Sequence, residues 1–245
     1  MPTLTPKQRE IVGRERKILD VARGMILEGG HGALSMDRIA EEIDYSKGTV
    51  YQHFSSKEDV VAALFIETCA QRTAMFQRAC AFRGTTRERV TAIGVADRLF
   101  VTRHPDHFRI ENLADLDIVF SKTSTQRQEM RNRIKKSMMQ AMDRVVAEAV
   151  SAGDLELAEG VPHCQVLYGL WSLSVGHHTI RSSRDPSEQM ALLPGWLSLW
   201  QNYLALLDGY GWTPLSTQWD YLASRDRIVA EAFPEFDPED AQFDR

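Results

Sequence analysis

Apolar residues recur every three or four positions along nearly the whole 245-residue chain, and alternating β-branched runs bounded by turn residues do not occur. That periodicity confines the chain to an all-α fold. Ile11, Ile18, Leu19, Ala22, Met25 and Ile26 form one stripe and predict a first helix over residues 7–28. Gly29-Gly30 closes it, because glycine accepts the left-handed backbone at a helix end. Ser35 is placed to cap a second helix, with Met36, Ile39, Ala40 and Ile43 on one face and Asp37 at the positive helix end. Asp44-Tyr45 makes a turn, and Ser46 caps a third helix. Ser56 and Asp59 then form a Ser-x-x-acid cap for a long fourth helix reaching residue 82. It is an imperfect capping box, since Asp stands where Glu or Gln is preferred.

Further helices are predicted over 86–103, from Pro105-Asp106 onward, and over 124–152, 161–180, 194–210 and 217–233. Pro105 suits a first helical position. A polar linker covers 181–187, and the acidic segment 234–245 is expected to be loose. The hydrophobic fraction of 43% and charged fraction of 26% are those of a soluble globular protein. A net charge of -5 excludes binding of nucleic acid through bulk positive charge, so any such binding must come from local placement of basic groups. Cys69, Cys80 and Cys164 form no CxxC pair and are odd in number, which points to reduced thiols in a cytoplasm. The most apolar stretch, 192–207, is interrupted by Pro194, Gly195, Gln201 and Asn202 and is too short and polar to span a bilayer. A soluble, cytoplasmic protein without a membrane partner is expected.

Two short helices joined by a tight turn, packed on a longer one, are the parts of a helix-turn-helix. In that motif the second helix enters the major groove of double-stranded DNA and its N-terminal residues face base edges. This accounts for Gly48 inside a short helix: a residue without Cβ lets a large partner approach the backbone, which offsets the roughly 1 kcal/mol glycine costs there. Val50 and Phe54, four apart, form the buried side. Lys47, Thr49, Tyr51, Gln52 and His53 fall mostly on the open side, with side chains suited to phosphates and base edges. Lys57 sits in the first turn of the next helix, where a cation opposes the helix dipole unless a phosphate lies nearby.

The stretch ALSMDRIAEEIDYSKGTVYQHFSSKEDVVAALF resembles the DNA-binding region of the tetracycline-repressor-like (TetR/AcrR) family of bacterial transcriptional regulators. The resemblance covers about residues 14–65, with Ile39-Ala40, Ser46 to Thr49, Tyr51, His53-Phe54 and Lys57-Glu58 in register. Beyond it, only helix count and order agree. The resemblance implies that Tyr51, His53 and Lys57 contact the DNA backbone. It also implies that Lys47, Thr49 and Gln52 lie at or near base edges, and that Ser35 caps its helix beside a phosphate. Ser46, Gly48 and Tyr45 complete the expected DNA-binding set. Two positions depart from the pattern. Asp44 stands where the family usually has glycine, and tolerates a left-handed backbone better than most residues. Tyr45 replaces a small aliphatic residue and brings a hydroxyl able to contact DNA.

The expected organisation is thus a helix-turn-helix domain over 1–55 and a larger helical ligand-binding and dimerisation domain over 56–245, with 56–82 as connector. A reading module this small needs a second copy to read two half-sites. Val166, Leu170, Leu173 and His177 mark one candidate pairing stripe, and Leu197, Trp200, Tyr203 and Leu204 another. Gly169 and Gly176 are placed to permit close helix approach, and the resemblance implies a four-helix bundle across a two-fold axis. The middle helices are expected to surround a largely apolar pocket for a small-molecule effector. Its candidate lining is Phe100, Phe108, Ile110, Leu113, Phe120, Met138, Met142, Tyr168, Trp171 and His178.

No Glu-x-x-His pair, Gly-rich phosphate loop or nucleophile elbow is present, so no catalytic residue and no cofactor is expected. His104, Asp106, His107, His163, Cys164, His177 and His178 match no zinc spacing, so no metal is expected either. The function these features point to is a ligand-responsive repressor, a homodimer on a palindromic operator released by its effector. The alternative is a helical adaptor acting through protein partners.

Overall fold

The computed structural model describes residues 5–114, 117–182 and 195–237. Eleven α-helices and one 3₁₀ turn are found among the described residues, and no strand. The first, α1 (Pro6–Gly29), starts one residue before the predicted helix because Thr5 and Gln8 cap each other reciprocally and Pro6 needs no hydrogen-bond partner for its nitrogen. It ends at Gly30, with φ at 71° and its N–H on Ile26 O at 2.8 Å. Ile18, Ala22, Met25 and Ile26 are buried as their spacing predicts. Ile11 belongs to the same stripe but stays 39% exposed.

A 3₁₀ turn (His31–Ala33) leads into α2 (Met36–Glu42), capped by Ser35 Oγ, which accepts from Arg38 N. Then come α3 (Lys47–His53), α4 (Lys57–Cys80), α5 (Thr86–Arg103), α6 (Pro105–Ala114) and α7 (Asp117–Ser121). They are followed by α8 (Thr125–Ala152), α9 (His163–Ser182), α10 (Gly195–Gly209) and α11 (Tyr221–Ala232). The apolar pattern does not mark α7 as a separate helix. The last helix begins four residues later than its apolar pattern, since Asp220 caps it by accepting from the Leu222 and Ala223 amides.

The chain forms two compact units, and they divide it differently from the cut at residue 55 that the sequence suggests. One comprises residues 1–71 and 104–135, the other residues 72–103 and 136–245, so the division falls inside α4 and α8. The first unit is built on Ile18, Ala22, Ile39, Val50, Phe54, Val60, Leu64, Phe65, Ile110 and Phe120. The core of the second includes Ala96, Leu99, Phe100, Val145, Val146, Val166, Leu207, Trp212 and Phe233. Within it Arg87 is wholly buried. Its guanidinium donates to Trp212 O and Leu204 O, pairs with Asp208 at 2.6 Å and lies over the Tyr221 ring.

The start of the acidic tail is held rather than loose. Glu235 pairs with Arg78 at 2.6 Å, and Phe236 sets its ring edge against Phe233. Residues 238–245 of that tail and 183–194, with most of the polar linker and Pro194, lie outside the described residues. None of the described helices is long and apolar enough to cross a membrane.

Candidate nucleic-acid interface

Ser46 begins α3 by accepting from the Thr49 amide at 3.1 Å while its hydroxyl meets that of Thr49 at 2.9 Å. Val50 and Phe54 then sit fully inside the core. Burying those two turns the opposite side outward: Lys47, Gly48, Tyr51 and Gln52 are exposed, and Tyr51 keeps half of its surface in solvent. At Gly48 a Cβ would meet nothing of this chain closer than Ser46 Oγ at 3.7 Å. The fold itself therefore sets no steric demand for glycine there, which leaves approach from outside as its physical reason.

The cations of this face are not all free. Lys47 pairs with Asp37 at 2.6 Å, and the hydrogen bond to Asp37 raises the ammonium pKa. His53 departs from the expected open placement. Its Nδ1 lies 3.5 Å from Glu15 Oε1 on α1, and its side chain is 9% exposed. Helical position alone gives an open side for His53, but α1 runs past the end of α3 and covers it. Lys57 is partly buried in the first turn of α4, beside Glu58 and Asp59.

The turn before α3 is built as the Asp44 substitution predicts. Asp44 has φ at 55° and Tyr45 N returns to Ala40 O at 3.0 Å. The Tyr45 ring faces α1, with Arg14 Cζ at 6.0 Å and Lys17 Nζ at 5.9 Å from its centroid.

One residue of this unit carries a role the sequence pattern does not announce. Asp59 is 3% exposed and joins the start of α4 to the start of α8. The Ser56 hydroxyl accepts from Asp59 N at 3.1 Å, and Asp59 Oδ2 accepts from Ser55 N at 3.3 Å. Its Oδ1 accepts from Ser124 and from Arg127 Nε at 2.9 Å. Arg127 also lies over the Phe54 ring at 4.7 Å, Arg131 over Phe120 at 3.9 Å, and Lys135 over Phe65 at 5.4 Å. The four-residue spacing of these three cations is a visible signal, but nothing in the sequence names their rings.

The candidate effector-pocket residues do not come together in one unit. Phe108 and Phe120 are core residues of the first unit, Phe120 meeting Phe65 edge-on at 5.3 Å. Leu113 lies on α6, and its side chain is outside those described. In the second unit Phe100 and Met142 are buried, Met138 partly so, and Arg72 stacks on Phe100 at 4.7 Å. His178 is buried with its Nε2 at 2.8 Å from Asp97 Oδ2. Ser174 also donates to Asp97, and Arg72 approaches it at 3.9 Å. Burial pushes the Asp97 carboxyl up, but His178, Arg72 and Ser174 overcompensate and hold it well below the usual carboxylate range. His177 and His178 both face the Trp196 ring, with Arg98 stacked on it at 4.8 Å.

Tyr168 and Trp171 correct their assignment as pocket lining: they are 64% and 57% exposed on α9, rings 5.9 Å apart. The pairing stripes need correction too. Val166, Leu170 and Tyr203 are buried within this chain, where Tyr203 OH donates to Val90 O at 2.9 Å. Leu173, His177, Leu197, Trp200 and Leu204 are half-buried. Gly169 serves approach between α9 and α10, because a Cβ there would meet Tyr210 OH at 3.3 Å, whereas Gly176 faces open space.

A family model described as bacterial regulatory proteins, tetR family, matches residues 18–64, the segment from α1 into α4. Over 141 residues the chain is 24% identical to the fatty acid metabolism regulator protein of Bacillus subtilis (strain 168), covering 57% of this chain and 70% of that protein. A crystal structure of a TetR/AcrR family transcriptional regulator from Thermobifida fusca superposes with a TM-score of 0.60 at 26% identity, covering 81% of this chain and 98% of that one. The fold is likewise that of FadR from Bacillus subtilis in complex with stearoyl-CoA, with a TM-score of 0.57, 18% identity, and 79% and 95% of the two chains covered. With a reading helix of this geometry inside the matched segment, residues 18–64 match the DNA-binding helix-turn-helix of the tetR family of bacterial regulatory proteins, and the chain is similar to TetR-family transcriptional regulators along most of its length.

Proposed function

We propose that the protein is a homodimeric repressor that binds a palindromic operator and is released by an acyl thioester such as a long-chain acyl-CoA. The observation that supports operator reading is the outward face of α3, where Gly48 opens the backbone and Tyr51 and Gln52 project beside it. Tyr51 and Lys57 are assigned to phosphates, Lys47, Thr49 and Gln52 to base edges, and Ser35 and Ser46 to the caps beside them. The pairing face is assigned to Tyr168 and Trp171 of α9, the largest aromatic pair the chain leaves in solvent there, with Gly176 open to a partner helix.

The effector class rests on the fatty acid regulator relatives and on the second unit's interior. Phe100 and Met142 supply apolar side chains there, and Arg72 and Arg98 place guanidinium groups over the Phe100 and Trp196 rings. Effector binding would shift the population toward a spacing of the two heads unsuited to successive major grooves.

The deciding experiment is a gel shift on the DNA upstream of the protein's own coding region, with and without stearoyl-CoA. Retardation that disappears on adding stearoyl-CoA, but not free coenzyme A, is expected. Tyr51→Ala should weaken binding to every sequence tested. An unchanged shift for Tyr51→Ala would refute the assignment of α3 as the reading helix.

A further inference from the structure

Beside the recognition helix lies an open groove of about 550 Å³, lined by Glu10, Gly13, Arg14 and Lys17 of α1 together with Tyr45 and Thr49. Thr49 belongs to α3, so the groove opens along the helix assigned to base edges. We propose that this groove is a second DNA contact, a clamp for the sugar-phosphate backbone flanking the bases that α3 reads. The proposal rests on the reading of α3 as the recognition helix.

Three observations converge on it. Two cations line the groove, and Lys17 has no carboxylate at ion-pair distance among the described residues. Arg14 pairs with Glu10, an exposed pair of neighbouring helical turns that a phosphate can displace. The Tyr45 ring lies within 6.0 Å of both cationic groups, which restricts two long, otherwise mobile side chains to one side of α1. Finally, Gly13 stands inside α1, and a Cβ added to it would meet nothing within 4 Å. Glycine is costly inside a helix, and no neighbour in this chain demands it. Its effect is to keep the floor of the groove clear.

Tyr45 therefore acts as a positioning residue through its ring. The hydroxyl contact to DNA expected from the sequence is not part of this assignment.

The test is fluorescence anisotropy with the full chain and a labelled mixed-sequence duplex of roughly 30 base pairs, about three helical turns. Affinity is followed from about 50 to 200 mM salt. Replacing both Arg14 and Lys17 by Ala should lower the slope of log affinity against log salt by about 2, near 0.9 for each phosphate no longer neutralised. Gly13→Glu places a carboxylate in the groove while improving helix propensity, and should weaken binding at least tenfold with a melting temperature no lower than the parent's. Tyr45→Phe should match the parent protein, and Tyr45→Ala should show most of the weakening seen in the double variant.

An unchanged slope in the double variant, with Tyr51→Ala still weakened, overturns the clamp and leaves the recognition helix in place. Weakening in Tyr45→Phe equal to that in Tyr45→Ala overturns the role of the ring. A parent protein without salt-dependent binding overturns both readings together.

Discussion

Asp44 holds φ at 55° between α2 and α3, where the backbone must turn left-handed to return Tyr45 N to Ala40 O. An L-residue there is strained by about 1 kcal/mol, somewhat less for Asp than for bulkier side chains. Asp44→Gly is therefore expected to raise stability by about 0.5–1 kcal/mol, read as a higher midpoint in urea, while Asp44→Val lowers it. At the neighbouring reading helix, Gln52→Ala is expected to change the ranking of operator variants in a competition gel shift, and to alter total affinity less than Tyr51→Ala does. The left-handed turn is legible in the sequence, because only a few residue types tolerate it. The placement of Tyr45 is not. Its cations stand on a different helix far upstream, and a ring beneath a guanidinium leaves no periodic mark. His53 shows the same limit, since helical spacing says which side it leaves from but not that Glu15 of α1 waits there.

Helices and their caps are the most legible level, because a cap is a local event. Ser35, Ser46 and Ser56 all accept the amides their spacing predicts. Tertiary roles are less so. A buried stripe on α9 reads alike whether its partner is α10 of the same chain or a helix of another copy, and Val166, Leu170 and Tyr203 prove to be internal. The imperfect capping box at α4 has a reason at this scale. Glu is usual at that position, but the shorter Asp59 also serves Ser124 and Arg127 at the start of α8. Asp59→Ala removes a buried acceptor from several donors at once and is expected to cost about 2–4 kcal/mol in urea unfolding. Arg127→Gln should cost clearly less, because Arg127 is partly in solvent and the Asp59 cap on α4 survives.

For the molecule as a whole, acid stability is set in part by the His177, His178 and Asp97 neighbourhood. Burial pushes the His177 pKa down to about 4, helped by the positive charge of His178 and Arg181 and by Arg98, against the opposing pull of Asp97. The unfolded chain binds a proton there near pH 6.5 and the folded chain does not until about pH 4, so stability rises with pH across that window. The melting temperature should fall from pH 6.5 toward pH 4, and His177→Gln should flatten that part of the profile. Asp97 acts lower: its depressed pKa supplies stability above the ordinary carboxylate range that is lost only under stronger acid. Dimerisation belongs to this scale as well. Trp171→Glu is expected to convert the proposed dimer to a monomer, measured by light scattering after gel filtration.

The first unit includes 104–135 as well as 1–71, and Asp59, Arg127 and Phe54 join those two stretches of chain. A reading head cut out at residue 55 would lose the clasp at the end of its own recognition helix. Grafting this head onto another regulator therefore calls for a two-piece transplant, with the later segment carried along, rather than exchange of an N-terminal cassette.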